Sequence, residues 1–483
     1  MASKMNKLIV FLCNSRLGFA EPTLKPASLI IARFLGMSKL IKLLLSMVLL
    51  QSAVVQAQME AKTDNSLLSF YHAAQAYDAR FNAAISNQEA GHEQLPLARS
   101  QLLPDISLTG NIAYNNQDTN YSGNGPFSSG RRDFSSDAIG IKLIQPLYRK
   151  EHFEAYKQAK VAVRQSDTQF AIAKQQLILD VSSSYFNVLL AQEGLKLAKA
   201  EKAANKKQLA RAKRGFEVGS AAITDVYDAQ ARFDLSLSEE IDARKRLQIA
   251  HRSLAKLTGI SPQALPVSLQ KRPLQLAAVT MEQWAERASS ASLTVRLTQE
   301  SLDIAKYEIE RNRGFAFPKV DLVVSYDDSS VDDSSFDTGI DTTETRIMLE
   351  VNVPLYSGGS LTSKLRQKRA EHRRAQQQLE ATRRDAILQA EEAYLSYESG
   401  SHRIKALKQA LLSSEKSLAS SQRGFELGLH TGIDVLDAQR QFYAAKLKLA
   451  EAHYGYLFDR LRLEAAVGQL DEEDLGQIDA LTD

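Results

Sequence analysis

The chain has 483 residues, 44% of them hydrophobic and 24% charged, with a formal net charge of +3 at pH 7. These values exclude wholesale disorder and a polytopic helical membrane protein, and so small a net charge gives no push toward nucleic acid. Only 11 prolines interrupt it, and Ala, Gln, Lys, Arg, Leu and Glu crowd its middle and end, which leaves room for long helices.

The amino-terminal stretch reads as an export leader over residues 1–57. Lys39 and Lys42 precede an apolar run from Leu43 to Leu50, and Val55-Gln56-Ala57 supplies the small residues of a cleavage site. The run is short for a transmembrane helix. Residues 1–36 fit no usual n-region, so Met37 is the favoured start and an unusually long leader the alternative. The single cysteine, Cys13, precedes the cleavage point, so the expected mature chain has no thiol, disulfide or cysteine metal site. Leu12 ahead of it is not the small residue that lipidation requires.

The remainder is a duplication. Arg214-Gly215-Phe216-Glu217-Val218-Gly219 recurs as Arg423-Gly424-Phe425-Glu426-Leu427-Gly428. Asp225-Val226, Asp228-Ala229-Gln230 and Phe233 recur at the same offset as Asp434-Val435, Asp437-Ala438-Gln439 and Phe442. Pro146-Leu147-Tyr148 recurs as Pro354-Leu355-Tyr356. The expected organisation is a first repeat over 58–265, a linker over 266–280, a second repeat over 281–470 and a tail over 471–483.

Each repeat reads alike. A helix over Leu67–Leu102, or over Met281–Arg313, ends before Pro104 or Pro318. Two alternating segments follow, forming hairpins expected over 105–147 and 319–353. Ile106, Leu108, Ile112 and Tyr114 share one face, as do Val320, Leu322, Val324 and Tyr326. Period two means strands with one apolar and one polar face. Each is read as about ten residues long, enough to cross a bilayer when tilted. The loops between them are polar, Asn115–Asp133 and Asp327–Asp341. Soluble hairpins with one wet face would share this pattern; the leader and four matched strands favour a membrane barrel.

Long helices then run from Ala155 to Arg214 and from Leu361 to Arg423, each ~60 residues and ~90 Å. They must pack side by side. Val435, Ala438, Phe442, Ala445, Leu449, Ala452 and Tyr456 mark one seam by alternating steps of three and four. Tips near 215–223 and 424–432 turn each helix back. Four strands cannot close a barrel and open edges cannot sit in lipid, so copies must join. Two chains give eight strands and three give twelve; strand arithmetic does not choose.

These features resemble the TolC family of outer-membrane efflux and type I secretion channels. The resemblance rests on Leu102-Leu103-Pro104, on Pro146-Leu147-Tyr148 and Pro354-Leu355-Tyr356-Ser357-Gly358-Gly359, and on both tip hexapeptides. Ala222-Ile223-Thr224-Asp225-Val226, Ile433-Asp434-Val435-Leu436-Asp437-Ala438 and Val467-Gly468-Gln469-Leu470 add to it, and it covers nearly all of residues 60–475. It implies a mixed fold: a trimeric 12-stranded transmembrane β-barrel, four strands per chain, continued by a long α-helical coiled-coil barrel through the periplasm of a Gram-negative cell. It also implies a periplasmic adaptor and an inner-membrane pump of RND, MFS or ABC type as partners. The missing lipidated cysteine resembles the non-lipoprotein branch.

By the same resemblance, Asp434 and Asp437, three residues apart on one helix face, would ring and constrict the entrance, open to cation block. The plainer reading is that both are first-turn aspartates favoured by the helix dipole. Asp225 and Asp228 repeat the pair. The family locks its closed state with a tyrosine and an arginine where this chain has Phe425 and His430. Histidine titrates near ~6.5, so closure is expected to be weaker at neutral pH and tighter in acid. Gly215, Phe216, Gly219, Gly424 and Gly428 are candidate adaptor contacts, since glycine admits a second backbone; they also suit a tight turn. No Walker loop, nucleophile elbow, HExxH or Cys/His cluster appears, and no enzyme, cofactor or metal site is expected. A periplasmic coiled-coil adaptor is the rival reading, weakened by two helical hairpins and four strands of lipid-crossing length. The transported substrate is not encoded here.

Overall fold

The computed structural model describes residues 66–120, 122, 130–262, 265, 279–332 and 339–482. The leader with Met37 and Cys13, most of the 266–280 linker and parts of both hairpin loops lie outside them. The first copy comprises α1 (Leu67–Tyr77), α2 (Ala79–His92), α3 (Gln94–Ser100), β1 (Asp105–Thr119), β2 (Gly130–Tyr148), α4 (Lys150–Glu217) and α5 (Ile223–Thr258). The second comprises α6 (Met281–Ala291), α7 (Leu293–Gly314), β3 (Lys319–Val331), β4 (Ile340–Asn352), α8 (Ser360–Glu426) and α9 (Gly432–Ala466), followed by α10 (Glu472–Thr482).

The two opening helices expected to be continuous are broken. Asp78 is extended (φ −65°, ψ 119°) and its carboxylate accepts the N–H groups of Arg80 and Phe81 at 2.8 and 2.9 Å, starting α2 afresh. Pro96 lies in the first turn of α3, where it has no N–H to continue a ladder from α2. Ser292 (φ −53°, ψ 132°) separates α6 from α7. The strands exceed ten residues, at 15, 19, 13 and 13.

α4 and α8 hold 68 and 67 residues, ~100 Å each, while α5 and α9, with 36 and 35, return only half way. The molecule therefore has a lower half of paired helices, α4 with α5 and α8 with α9, and an upper half where short helices flank the long ones. The main core lies between these halves. It joins Leu67, Tyr71 and Ala74 of α1, Ile178, Val181, Tyr185 and Leu189 of α4, Leu254 of α5, Leu457 and Leu461 of α9, and Leu475 and Ile478 of α10. On the α9 seam, Val435, Ala438, Leu449, Ala452 and Tyr456 are buried; Phe442 and Ala445 are half-buried.

The strands form one antiparallel sheet in the order β1-β2-β3-β4, so the two hairpins meet at β2–β3. Its register aligns the faces. Ile106, Leu143, Val324 and Ile347 lie opposite one another across all four strands, and Leu108, Ile141 and Tyr326 across three. The other face carries Ser107, Lys142, Ser325 and Arg346 in one row and Thr109, Gly140, Asp327 and Glu344 in the next. One side is thus suited to lipid and the other to water. No helix among the described residues is long and apolar enough to cross a membrane.

Candidate gate and docking tips

The two helical tips have one hydrogen-bond plan, as their shared sequence requires. In the first, the carbonyl of Arg214 accepts the N–H of Val218 at 3.1 Å, and that of Gly215 accepts Ser220 and Ala221 at 2.8 and 3.2 Å. In the second, Arg423 accepts Leu427 at 3.1 Å, and Gly424 accepts Leu429 and His430 at 2.8 and 3.2 Å. Gly219 and Gly428 both have φ 75°, the left-handed conformation that ends these helices. Gly424 has a different task. A Cβ there would overlap the imidazole of His430, which lies across it; at Gly215 the neighbour is the smaller Ala221, whose Cβ would stand 3.0 Å away.

The acidic pairs divide their roles. Asp434 closes a capping box: the Thr431 N–H and hydroxyl both donate to its Oδ2 at 2.8 Å, and its own N–H donates to Thr431 Oγ1 at 3.3 Å. The Thr431 N–H, then the hydroxyl and nearby His430, hold the Asp434 carboxyl below the usual aspartate range. His430 Nδ1 stands 3.7 Å from the same oxygen. Asp225 is capped by half as much, accepting only the Ala222 N–H at 3.0 Å, because Ala222 has no hydroxyl to return. Asp437 is paired instead with Arg232 of α5 at 2.7 Å, which ties the start of α9 to the other hairpin. Asp228 is exposed on α5 with no ion pair among the described residues.

Phe216 is exposed, whereas Phe425 is half-buried, its ring edge 3.8 Å from where a Cβ on Gly432 would stand. The geometry thus brings His430 to Asp434 and Gly424, and gives the two aspartates of α9 different partners. Sequence reasoning missed Arg232 and the polar layer behind it. There Gln439 Nε2 donates to Asn205 Oδ1 at 3.1 Å, and Asn205 Nδ2 donates to the Arg232 carbonyl at 3.4 Å. It also missed Val218, Leu427 and Leu429, exposed apolar residues crowning the tips. The apolar residue before the second glycine of each hexapeptide was the available signal. Among the described residues no group of three or more His, Cys, Asp or Glu is placed to hold a metal ion.

Comparison with known proteins accounts for this architecture. The family model "Outer membrane efflux protein" matches residues 70–260 and 284–469, one block in each copy. The outer membrane protein TolC of Vibrio cholerae is 32% identical over 432 residues, covering 89% of this chain and 96% of that one. The alkaline protease secretion protein AprF of Pseudomonas aeruginosa is 30% identical, covering 85% of each chain. Among solved structures, the Campylobacter jejuni CmeC outer membrane channel shares the fold with a TM-score of 0.73 at 16% identity, covering 86% of this chain and 89% of that one. The chain belongs to the outer membrane efflux protein family, located in the outer membrane and extending into the periplasm.

Proposed function

We propose that this chain is the trimeric exit duct of an efflux or type I secretion system. Three sheets close a twelve-stranded barrel, and the helices continue it as a periplasmic tunnel whose tips meet an adaptor and an inner-membrane RND, MFS or ABC pump. The carrying observation is an imbalance between the copies. Besides its hairpin partner α5, α4 packs against α7 and against α1, α2 and α3, whereas among the described residues its repeat α8 packs, besides its hairpin partner α9, mainly against α7 and α6. Among the described residues β1 and β4 likewise each keep one unpaired edge. Joining copies head to tail supplies both missing neighbours at once. Eight strands would fill their own interior with side chains; twelve leave a passage. Membership of the efflux family, together with two hairpins of lipid-crossing strands, sets the adaptor reading aside.

In this reading Asp434 and Asp437 from each copy form an acidic constriction open to cation block, with Asp225 and Asp228 adding charge around it. Gly215, Phe216, Gly219, Gly424 and Gly428, with Val218, Leu427 and Leu429, present the adaptor surface. Arg232 balances one ring carboxylate. Recording single channels of purified protein in planar bilayers tests this. Arg232→Ala should raise cation selectivity, and Asp434→Asn with Asp437→Asn should lower both selectivity and block by divalent cations. Selectivity unmoved by either change would remove the acidic ring from the mechanism.

A further inference from the structure

The internal seam between the two copies is a template for the seam between chains. Inside the chain, α7 lies against α4 through a polar ladder. Gln158 Nε2 donates to Glu308 Oε2 at 2.9 Å, Gln165 Nε2 to Ser301 Oγ at 2.7 Å, and Thr168 Oγ1 to Glu300 Oε1 at 3.1 Å. The repeat carries Pro146 to Pro354 and Pro104 to Pro318. Through it, Gln158, Val161 and Gln165 become Arg366, Arg369 and Arg373 on α8, and Ser301, Ile304 and Glu308 become Asn87, Ala90 and Gln94 on α2 and α3.

Both sets are left uncovered. Arg366, Arg369 and Arg373 are exposed and follow one helix face; Arg366 donates to Ser363, and none has a carboxylate partner among the described residues. The opposing face of α2–α3 exposes Asn87, Ala90 and Gln94, with Leu97 65% exposed at its end. The other face of the same helices is already used: Phe81 and Ala98 are buried, and Gln88 donates to Asp167 of α4 at 2.8 Å. Glu89 and Glu93 border the open face, four residues apart, exposed and without an ion pair among the described residues. Where the internal seam sets amides and a hydroxyl of α4 against Glu308, Ser301 and Glu300 of α7, the open one has cations on α8 and the carboxylates Glu89, on α2, and Glu93, just past its end.

The sheet gives an independent constraint. β2 pairs β3 with Ile141 opposite Tyr326 and Leu143 opposite Val324. The repeat turns these into Leu349 opposite Ile112 and Val351 opposite Gly110. Leu349 and Ile112 already belong to the apolar face on their own strands, so this register joins lipid face to lipid face; a slip of one residue would invert it.

We propose, resting on the assembly reading above, that β4 of one copy pairs with β1 of the next with Leu349 opposite Ile112. In the same seam the Arg366–Arg369–Arg373 stripe of α8 docks on the Asn87–Leu97 face of that second copy, with Glu89 and Glu93 as its counter-charges. The occupant of this basic stripe is the chain itself. The chemistry is complementary charge at the rim of a close helix contact, which selects partner and register.

The test uses the full chain expressed in outer membranes. Ile112→Cys with Leu349→Cys should give covalent oligomers on oxidation, while Ile112→Cys with Met348→Cys should not. Arg366→Glu, Arg369→Glu and Arg373→Glu together should lose the slow-migrating species on unheated gels. Adding Glu89→Arg and Glu93→Arg should restore it, a rescue that mere misfolding would not show. Native mass spectrometry reads assembly separately. An intact trimer without the Leu349–Ile112 cross-link, or one indifferent to both charge reversals, overturns this seam and leaves the duct standing. Absence of any oligomer in the wild type overturns the duct reading itself. Trimers that survive reversal but lose co-purified anionic phospholipid would assign the stripe to lipid instead.

Discussion

At residue scale, the tips show how one hexapeptide serves two chemistries. The backbone turn is the same in both copies, yet only the second places an imidazole over its glycine and beside a capped aspartate. The sign of the pH response follows. The Asp434 carboxyl is depressed below its ordinary value of 3.8, so its contribution to the tip is complete above that value and is lost only as pH falls through the lowered one. Across the window of about pH 5 to 8 Asp434 stays ionised, an acceptor for a cationic imidazole at His430, whose Nδ1 stands 3.7 Å away. Closed-state conductance should therefore drop as wild-type channels are acidified through that window, and His430→Ala should abolish the drop. A response that persists in His430→Ala, measured in the same bilayers, would exclude the histidine. The turn glycine acts differently. Gly428→Ala meets no atom within 4 Å but must hold φ 75°, so it should destabilise the tip by ~1–2 kcal/mol. Faster amide exchange confined to 424–434 would report it.

At element scale, the long helices are held by their packing. α4 carries charged and polar residues over most of its length, and its buried residues concentrate around Leu177–Leu189, where α1, α5, α9 and α10 converge. Ile178 is fully buried there. Ile178→Ala should cost ~2–5 kcal/mol through lost burial and a cavity between α4 and its neighbours. The readout is a lower temperature of far-ultraviolet circular-dichroism loss in detergent, with normal insertion of the sheet. Existence and order of the elements were legible because period two and period three-to-four are strong signals in long segments. The breaks at Asp78 and Ser292 were not. An aspartate inside a helical pattern reads as a solvent residue until its carboxylate is seen capping the next helix, as Asp78 does; Ser292 breaks its helix by its extended backbone alone, its hydroxyl pairing with Thr294.

At the scale of the whole molecule, the sheet separates two kinds of substitution. Leu349 lies on the exposed apolar face, and Asp327 on the polar one opposite Gly140 and Glu344. Leu349→Arg should destabilise insertion by ~2–4 kcal/mol if it sits near the bilayer midplane. Urea midpoints in phospholipid vesicles measure this. Asp327→Asn should leave the midpoint in place and shift only the ionic selectivity. A larger midpoint loss for Asp327→Asn than for Leu349→Arg would mean that the faces are assigned the wrong way round.

The sequence by itself determined the duplication, the alternation that makes the strands, the length of the principal helices and the glycines that end them, because each of these is written in local periodicity or in a conformation that one residue type favours. It also showed that four strands leave open edges. Only the tertiary structure decided that the hairpins join at β2–β3 in a register aligning the apolar rows, and that Asp437 is spent on Arg232 while Asp434 is spent on Thr431. It alone showed that among the described residues α4 gathers the short helices α1, α2, α3 and α7, while α8 gathers only α6 and α7. Those facts depend on which distant residues come to lie side by side, and a charge stripe such as Arg366, Arg369 and Arg373 looks like any solvated helix face until its repeat is seen covered.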